Sequence, residues 1–254
     1  MIQNITIIGS GNVASWFAHQ ASIAGIRIVQ IYSRQLEHAQ AIASIYQAQA
    51  IDHLKDLSFQ SDLFLFSLKD DLYEDILKTI PTILPFAVHT AGSVSLKIFQ
   101  HHAQNFGVLY PYQTISKTMD FNQMEVPLCV EGNRQETDTE LLDFALRLSP
   151  RSYLINEEQR FTLHLAAVFA SNFTNALYTI AHDILQKQHI NWEIILPLLQ
   201  NTLNKTRNLT PVEAQTGPAV REDFGIMQKQ LASLDSPALQ IIYRMMSEYI
   251  IQHR

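Results

Sequence analysis

Ile5-Thr6-Ile7-Ile8-Gly9-Ser10-Gly11-Asn12-Val13-Ala14 joins a β-branched apolar run to the start of a helical pattern through two glycines. β-Branched residues favour strands, and apolar residues spaced by 3.6 from Val13 to Ala24 mark a helix. Only 8 of the 254 residues are glycine, so two within three positions mark a backbone that needs them. Gly-x-Gly-x-x-Ala between a strand and a helix is an arrangement that receives a dinucleotide diphosphate. Gly9 permits the tight turn, Gly11 lets the backbone approach the anion, and Ala14 leaves room for helix against strand. Ser10, Asn12 and Val13 complete the turn at a helix N-terminus whose N–H groups face the phosphate.

Outward from that turn, short β-rich runs alternate with helical periodicity. Strands are predicted at 5–8, 27–32, 62–67, 86–90, 106–110, 126–130 and 152–155, with helices at 13–24, 36–46, 72–80 and 139–148. Such alternation builds βαβ units, hence an α/β fold with a mostly parallel sheet. Beyond Asn156 the strand signal disappears. Residues 157–188 carry one long helical pattern, which as a straight helix would run ~48 Å; either it breaks or a second subunit covers it. Further helices are signalled at 192–206, by the capping box Thr210-Pro211-Val212-Glu213, and by Ser236-Pro237 before 238–252. The expected organisation is a nucleotide-binding domain, 1–156, followed by an all-helical domain, 157–254.

The second strand ends at Ser33-Arg34, where an NAD site usually carries an acid for the ribose 2′-hydroxyl. A hydroxyl and a guanidinium suit the 2′-phosphate of NADP instead, Arg34 gripping it by charge-assisted bonds. The bland alternative is a solvated charge opening the next helix. At the same sheet edge, Leu68 and Lys69 frame the ribose and nicotinamide side, while Asp70 or Asp71 serves as a helix N-cap. His89 and Thr90 close the next strand there, where the histidine either meets substrate or nicotinamide or holds a structural hydrogen bond.

Composition narrows the partners. With 18 Lys and Arg against 24 Asp and Glu the formal charge is −6, which disfavours nucleic acid. Every long apolar stretch is interrupted well before the ~18 residues of a membrane span, and the first residues lack the basic region of a signal peptide. The single Cys129 sits in an apolar run, a buried inert thiol. No spacing of His, Cys and acids suggests a metal. A cytoplasmic setting is expected.

Gly9 to Ala14, Tyr32-Ser33-Arg34, His89-Thr90-Ala91-Gly92-Ser93, Tyr110-Pro111-Tyr112-Gln113-Thr114, His164 through Asn172, and Thr216 through Asp223 together span nearly the whole chain. In these segments the sequence resembles the Rossmann-type families of pyrroline-5-carboxylate reductase, deazaflavin-linked NADP reductases and β-hydroxyacid dehydrogenases. It is most similar to NADP-linked oxidoreductases whose helical C-terminal domain has no assigned function. The resemblance implies a homodimer with the active site in the interdomain cleft. Two departures stand out. Tyr110-Pro111 replaces a frequent His-Pro, and His164 takes the place of the catalytic lysine of the β-hydroxyacid dehydrogenases, with only Asn172 matching an asparagine position.

Hydride delivery to a carbonyl or imine requires a proton donor and a hydrogen-bond clamp. Histidine, whose unperturbed pKa is ~6.5, suits the first role, so His164 is the candidate acid and Asn172 the clamp. Asn175 lies ~20° from His164 around the helix. The alternative is that these polar groups serve helix packing or a dimer interface. Arg221, oriented by Asp223, is the candidate anchor for a substrate carboxylate or phosphate, or else an internal pair fixing domain packing. The sequence thus leads to an NADP-dependent oxidoreductase acting on a small anionic carbonyl or imine compound, with NAD use or a non-catalytic dinucleotide-binding dimer as the rivals.

Overall fold

Ile5 and Ile7 face one side of their strand and Ile8 the other, and this two-residue alternation organises the sheet. The computed structural model describes residues 1–254 as two units, Met1–Phe173 and Thr174–Arg254. In the first, β1 (Asn4–Ile8), β2 (Arg27–Tyr32), β3 (Gln49–Ile51), β4 (Leu63–Phe66), β5 (Leu84–His89), β6 (Ala103–Pro111), β7 (Leu128–Gly132) and β8 (Ser152–Leu154) form one sheet in the order β3-β2-β1-β4-β5-β6-β7-β8. All pairings are parallel except β6 with β7.

One face carries Leu63, Leu65 and Val88 against α1 (Asn12–Ile23), α2 (Leu36–Tyr46) and α4 (Gln135–Leu148). The other carries Phe64 and Phe66 against Tyr73, Leu77 and Phe99, from α3 (Tyr73–Lys78) and a 3-10 turn. This is the expected α/β architecture, with one strand the pattern did not signal: β3 is only three residues long and begins with a polar glutamine. Chain order reverses between β1 and β4, and the crevice beyond the strand ends at such a switch point is where α/β sheets bind ligands.

Asn156, at the expected domain boundary, caps α5 (Glu157–Ala167) through a reciprocal bond pair with Gln159, at 2.9 and 3.1 Å. The first unit continues beyond this cap to Phe173. The long helical pattern stays helical through Gln186 but changes its winding: residues Val168–Phe173 form a π-helical segment before α6 (Thr174–Gln186). Such widened turns recur at functional sites.

The second unit holds α6, α7 (Leu196–Lys205), α8 (Phe224–Ala232) and α9 (Pro237–Gln252). The Thr210 to Glu213 capping bonds form, Thr210 N–H donating to Glu213 Oε2 at 2.8 Å, yet no helix follows. Gly217 at φ +118° and Pro218 cannot extend the turn. The next helix, α8, begins at Phe224, and Asp223 caps it by accepting the Ile226 N–H at 3.2 Å. No helix is long and apolar enough to cross a membrane.

Gly9 lies where the chain leaving β1 passes the end of its neighbour β4. Its φ is +130°, and a Cβ there would lie 2.0 Å from the carbonyl oxygen of Ser67, whereas one on Gly11 would meet nothing within 4 Å. Gly9→Ala is therefore expected to cost several kcal/mol through strain and overlap, while Gly11→Ala melts within about 0.5 kcal/mol of the parent. Urea denaturation of the two variants checks this contrast.

Candidate functional site

The glycine turn opens α1 with Gly11 as its N-cap, and that cap uses no side chain. The first amides of the helix are therefore left for an external acceptor. Ser10 Oγ donates to Ser33 Oγ at 3.0 Å, tying the turn to the end of β2. Ser33 is buried, and Arg34 beside it is exposed. The arginine ion pairs of the chain are made by Arg134, Arg151, Arg160 and Arg254, which leaves the Arg34 guanidinium unpaired at the sheet edge. Space in front of Gly11 and unfilled amides fit a dinucleotide diphosphate, and a free guanidinium stands at the strand end, where there is no acid.

Neighbouring loops take other roles. The Asn12 side chain donates to the Ile115 carbonyl at 3.0 Å, so only its backbone is free for phosphate. Val13 and Leu68 are half-buried and Lys69 is exposed. Asp70 caps no helix; it accepts a hydrogen bond from Ser93 Oγ. Thr90 is buried, its N–H donating to Phe66 at 3.1 Å.

His89 is shut off from solvent. It is fully buried between the rings of Tyr73 and Phe99, and its Nδ1 accepts the Ala91 N–H at 3.3 Å. Burial, reinforced by the Arg160 charge, lowers its pKa to about 3. The structural alternative thus describes it, and its bond shapes the loop that carries Gly92.

Gly92 leads to the feature that sequence reasoning missed. A Cβ on this residue would lie 2.7 Å from His164 Nδ1 and 2.9 Å from the Tyr110 ring, so only a glycine lets β6 and α5 bring the two side chains together. Tyr110 Oη and His164 Nδ1 are 3.1 Å apart. Both line a cavity of about 280 Å³ with Gln113, Thr114, Ser171 and Asn172. Burial raises the Tyr110 phenol to about 12, so it stays protonated at neutral pH. Thr114 and Ser171 hydroxyls, 3.3 Å apart, join the loop after β6 to the π-helical segment.

One turn before His164, Arg160 is 1% exposed and ion-paired with Glu131 of β7, and it donates to the Val94 carbonyl at 2.9 Å. Glu131 also accepts the Glu157 N–H at 3.0 Å. These bonds seat α5 against the sheet and so set the height of His164. The four-residue spacing of Arg160 and His164 was the available signal, since both lie on one helix face.

Arg221 and Asp223 belong to the second unit. No ion pair joins them, and Asp223 Oδ1 instead accepts the Ile226 N–H as the α8 cap. Asn175 is exposed in α6. No group of three or more His, Cys, Asp or Glu side chains converges as metal ligands.

Comparison with known proteins places this geometry. Residues 4–85 match the family described as NADP oxidoreductase coenzyme F420-dependent, and residues 126–250 match the domain of unknown function DUF2520. A crystal structure described as a "putative NADP oxidoreductase" from Bacteroides fragilis is 37% identical, covering 99% of this chain and 98% of that one, with a TM-score of 0.91. A 1-pyrroline-5-carboxylate reductase from Streptococcus pyogenes shares the fold at 18% identity, 98% coverage of both chains and a TM-score of 0.67. So does a reductive aminase from Aspergillus terreus, in complex with NADPH and ethyl-5-oxohexanoate, at 13% identity, covering 99% of this chain and 94% of that one, with a TM-score of 0.72. No curated protein matches the sequence.

His89 gives the unit a pH dependence of known sign. Its folded pKa lies below the ordinary value of 6.5, so as pH falls from 6.5 toward 3 only the unfolded chain takes up this proton. Stability from this group is present above 6.5 and declines by about 1.4 kcal/mol per pH unit across that window. Urea denaturation between pH 7 and 4 is expected to show a slope shallower by about one proton in His89→Gln.

Proposed function

The chain belongs to the NADP oxidoreductase family that joins a nucleotide-binding domain to DUF2520, and from that membership we propose that it is an NADPH-dependent reductase of a small, anionic carbonyl or imine compound. The observation that carries this reading is the Tyr110–His164 pair lining a polar cavity. Ser33 and the unpaired Arg34 support preference for the 2′-phosphate.

When bound, the dinucleotide supplies hydride. The protein must then place a proton on the substrate heteroatom, because the added hydride leaves negative charge there. Tyr110 holds that proton: its phenol gives it to the oxygen or nitrogen, and the phenolate recovers one from His164 Nδ1. Water afterwards reprotonates the imidazole. A phenol held near 12 is a weak acid alone, and the proton relayed from His164 Nδ1 spares it a lasting charge. Asn172, on the cavity wall, serves as the clamp for the developing anion. No carboxylate lines the cavity, which suits an anionic substrate.

We further propose that the protein is a homodimer through its second unit. Within that unit only Ala219 and Ser247 are buried, which is too little core for an independent fold. Ile241, Met245 and Tyr249 follow one another at four-residue spacing along α9, and each is 58% exposed or more. An apolar stripe of this kind marks an interface.

Two experiments test these readings. Steady-state NADPH oxidation against a panel of keto acids and cyclic imines should reveal a substrate. Tyr110→Phe and His164→Ala should each then lower kcat by about 100-fold with the NADPH dissociation constant unchanged. Absence of turnover across the panel, or variants as active as the parent, would contradict the assignment. Separately, Met245→Glu is expected to shift the sedimenting species from dimer to monomer, and a monomeric parent would refute the interface.

A further inference from the structure

Antiparallel neighbours such as β6 and β7 need only a short hairpin, yet here they are joined by the whole of residues 112–127. That detour crosses to α1 and is fastened there. Besides the Asn12 bond to the Ile115 carbonyl, Gln20 Nε2 donates to the Phe121 carbonyl at 3.3 Å, and His19 Nε2 lies 3.1 Å from Asn122 Oδ1. Ile115 is buried as the anchor. Two residues on, Lys117 Nζ donates to the carbonyl of Ser10, between the two glycines of the turn, at 3.3 Å.

We propose that Lys117 binds a phosphate group of the dinucleotide, a role that rests on the nucleotide reading of the glycine turn given above. The ammonium has three donors, and only one is used. The lysine ion pairs of the chain are made by Lys78 and Lys187, so no carboxylate neutralises Lys117. The acid nearest in sequence, Asp120, is held by Asn122 and Gln123. In a chain with an excess of acids, the charge at this turn is local and not part of a general basic surface. Ser10 adjoins both candidate phosphate positions: its backbone leads into the amides that open α1, and its hydroxyl bonds to Ser33 beside Arg34. The chemistry is the same for either phosphate, an exposed ammonium meeting an anion beside the glycine turn.

Titration of NADPH and NADH, followed by nicotinamide fluorescence at two salt concentrations, tests the role on the full chain. Lys117→Gln keeps a donor for the Ser10 carbonyl and removes the charge; Lys117→Arg keeps both. The Gln variant is expected to bind NADPH about ten-fold more weakly, with a shallower salt dependence, an unchanged melting temperature and recovery in the Arg variant. Weakening confined to NADPH assigns Lys117 to the 2′-phosphate, and equal weakening of NADH assigns it to the diphosphate. Parent-like affinity and salt dependence in Lys117→Gln would overturn the proposal while leaving the nucleotide site intact. A parent that binds neither dinucleotide would remove the site and Lys117's role together.

Discussion

A missing methyl group at residue 9 sets the geometry on which everything else hangs. Because the Gly9 backbone runs against the Ser67 carbonyl with no room for a Cβ, β1 and β4 end at the same edge and α1 starts directly above them. The Gly9 N–H also donates to the Tyr32 carbonyl at 2.9 Å, which draws in the end of β2. One turn thereby gathers the Ser33-Arg34 corner, the loop after β4 and the helix amides around a single crevice. The strained φ is repaid by the parallel pairing it permits.

A second constraint works on the far side of the sheet. Arg160 is buried and Glu131 largely so, and such a pair is tolerable only when its other groups find partners. Val94 and the Glu157 amide supply partners for the guanidinium end and the carboxylate, leaving Arg160 Nε alone unsatisfied, and the pair ties β7, α5 and the Gly92 loop into one arrangement. His164, one turn later, inherits its position from that cluster. Tyr110 approaches over Gly92. The proposed proton pair is therefore a consequence of charge satisfaction and close packing, both placed behind the cavity and away from substrate.

Much of the first unit was readable from local signals. Val13 to Ala24 and Leu36 to Tyr46 carry helical periodicity, the β-branched runs mark strands, and the glycine turn fixes the site edge; each depends on residues adjacent in sequence. What was not readable depends on distant ones. Tyr110 and His164 meet across 54 positions. Lys117 reaches a turn 107 positions earlier. His89 illustrates the converse, since its place at a strand end suggested access to ligand while Tyr73 and Phe99 enclose it. In the second unit, Thr210 and Glu213 formed their local bonds, but the backbone at Gly217 and Pro218 overrode the helix those bonds announce.

The central claim is that the cavity bearing Tyr110 and His164 is where the nicotinamide reacts. A crystal structure grown with NADPH tests it most directly. The account predicts the diphosphate on the turn from Gly9 to Asn12 and the nicotinamide C4 facing the Tyr110 hydroxyl, with space for a small substrate between them. A nicotinamide ring turned away from that cavity, with Tyr110 and His164 out of reach of any molecule placed at C4, would contradict it.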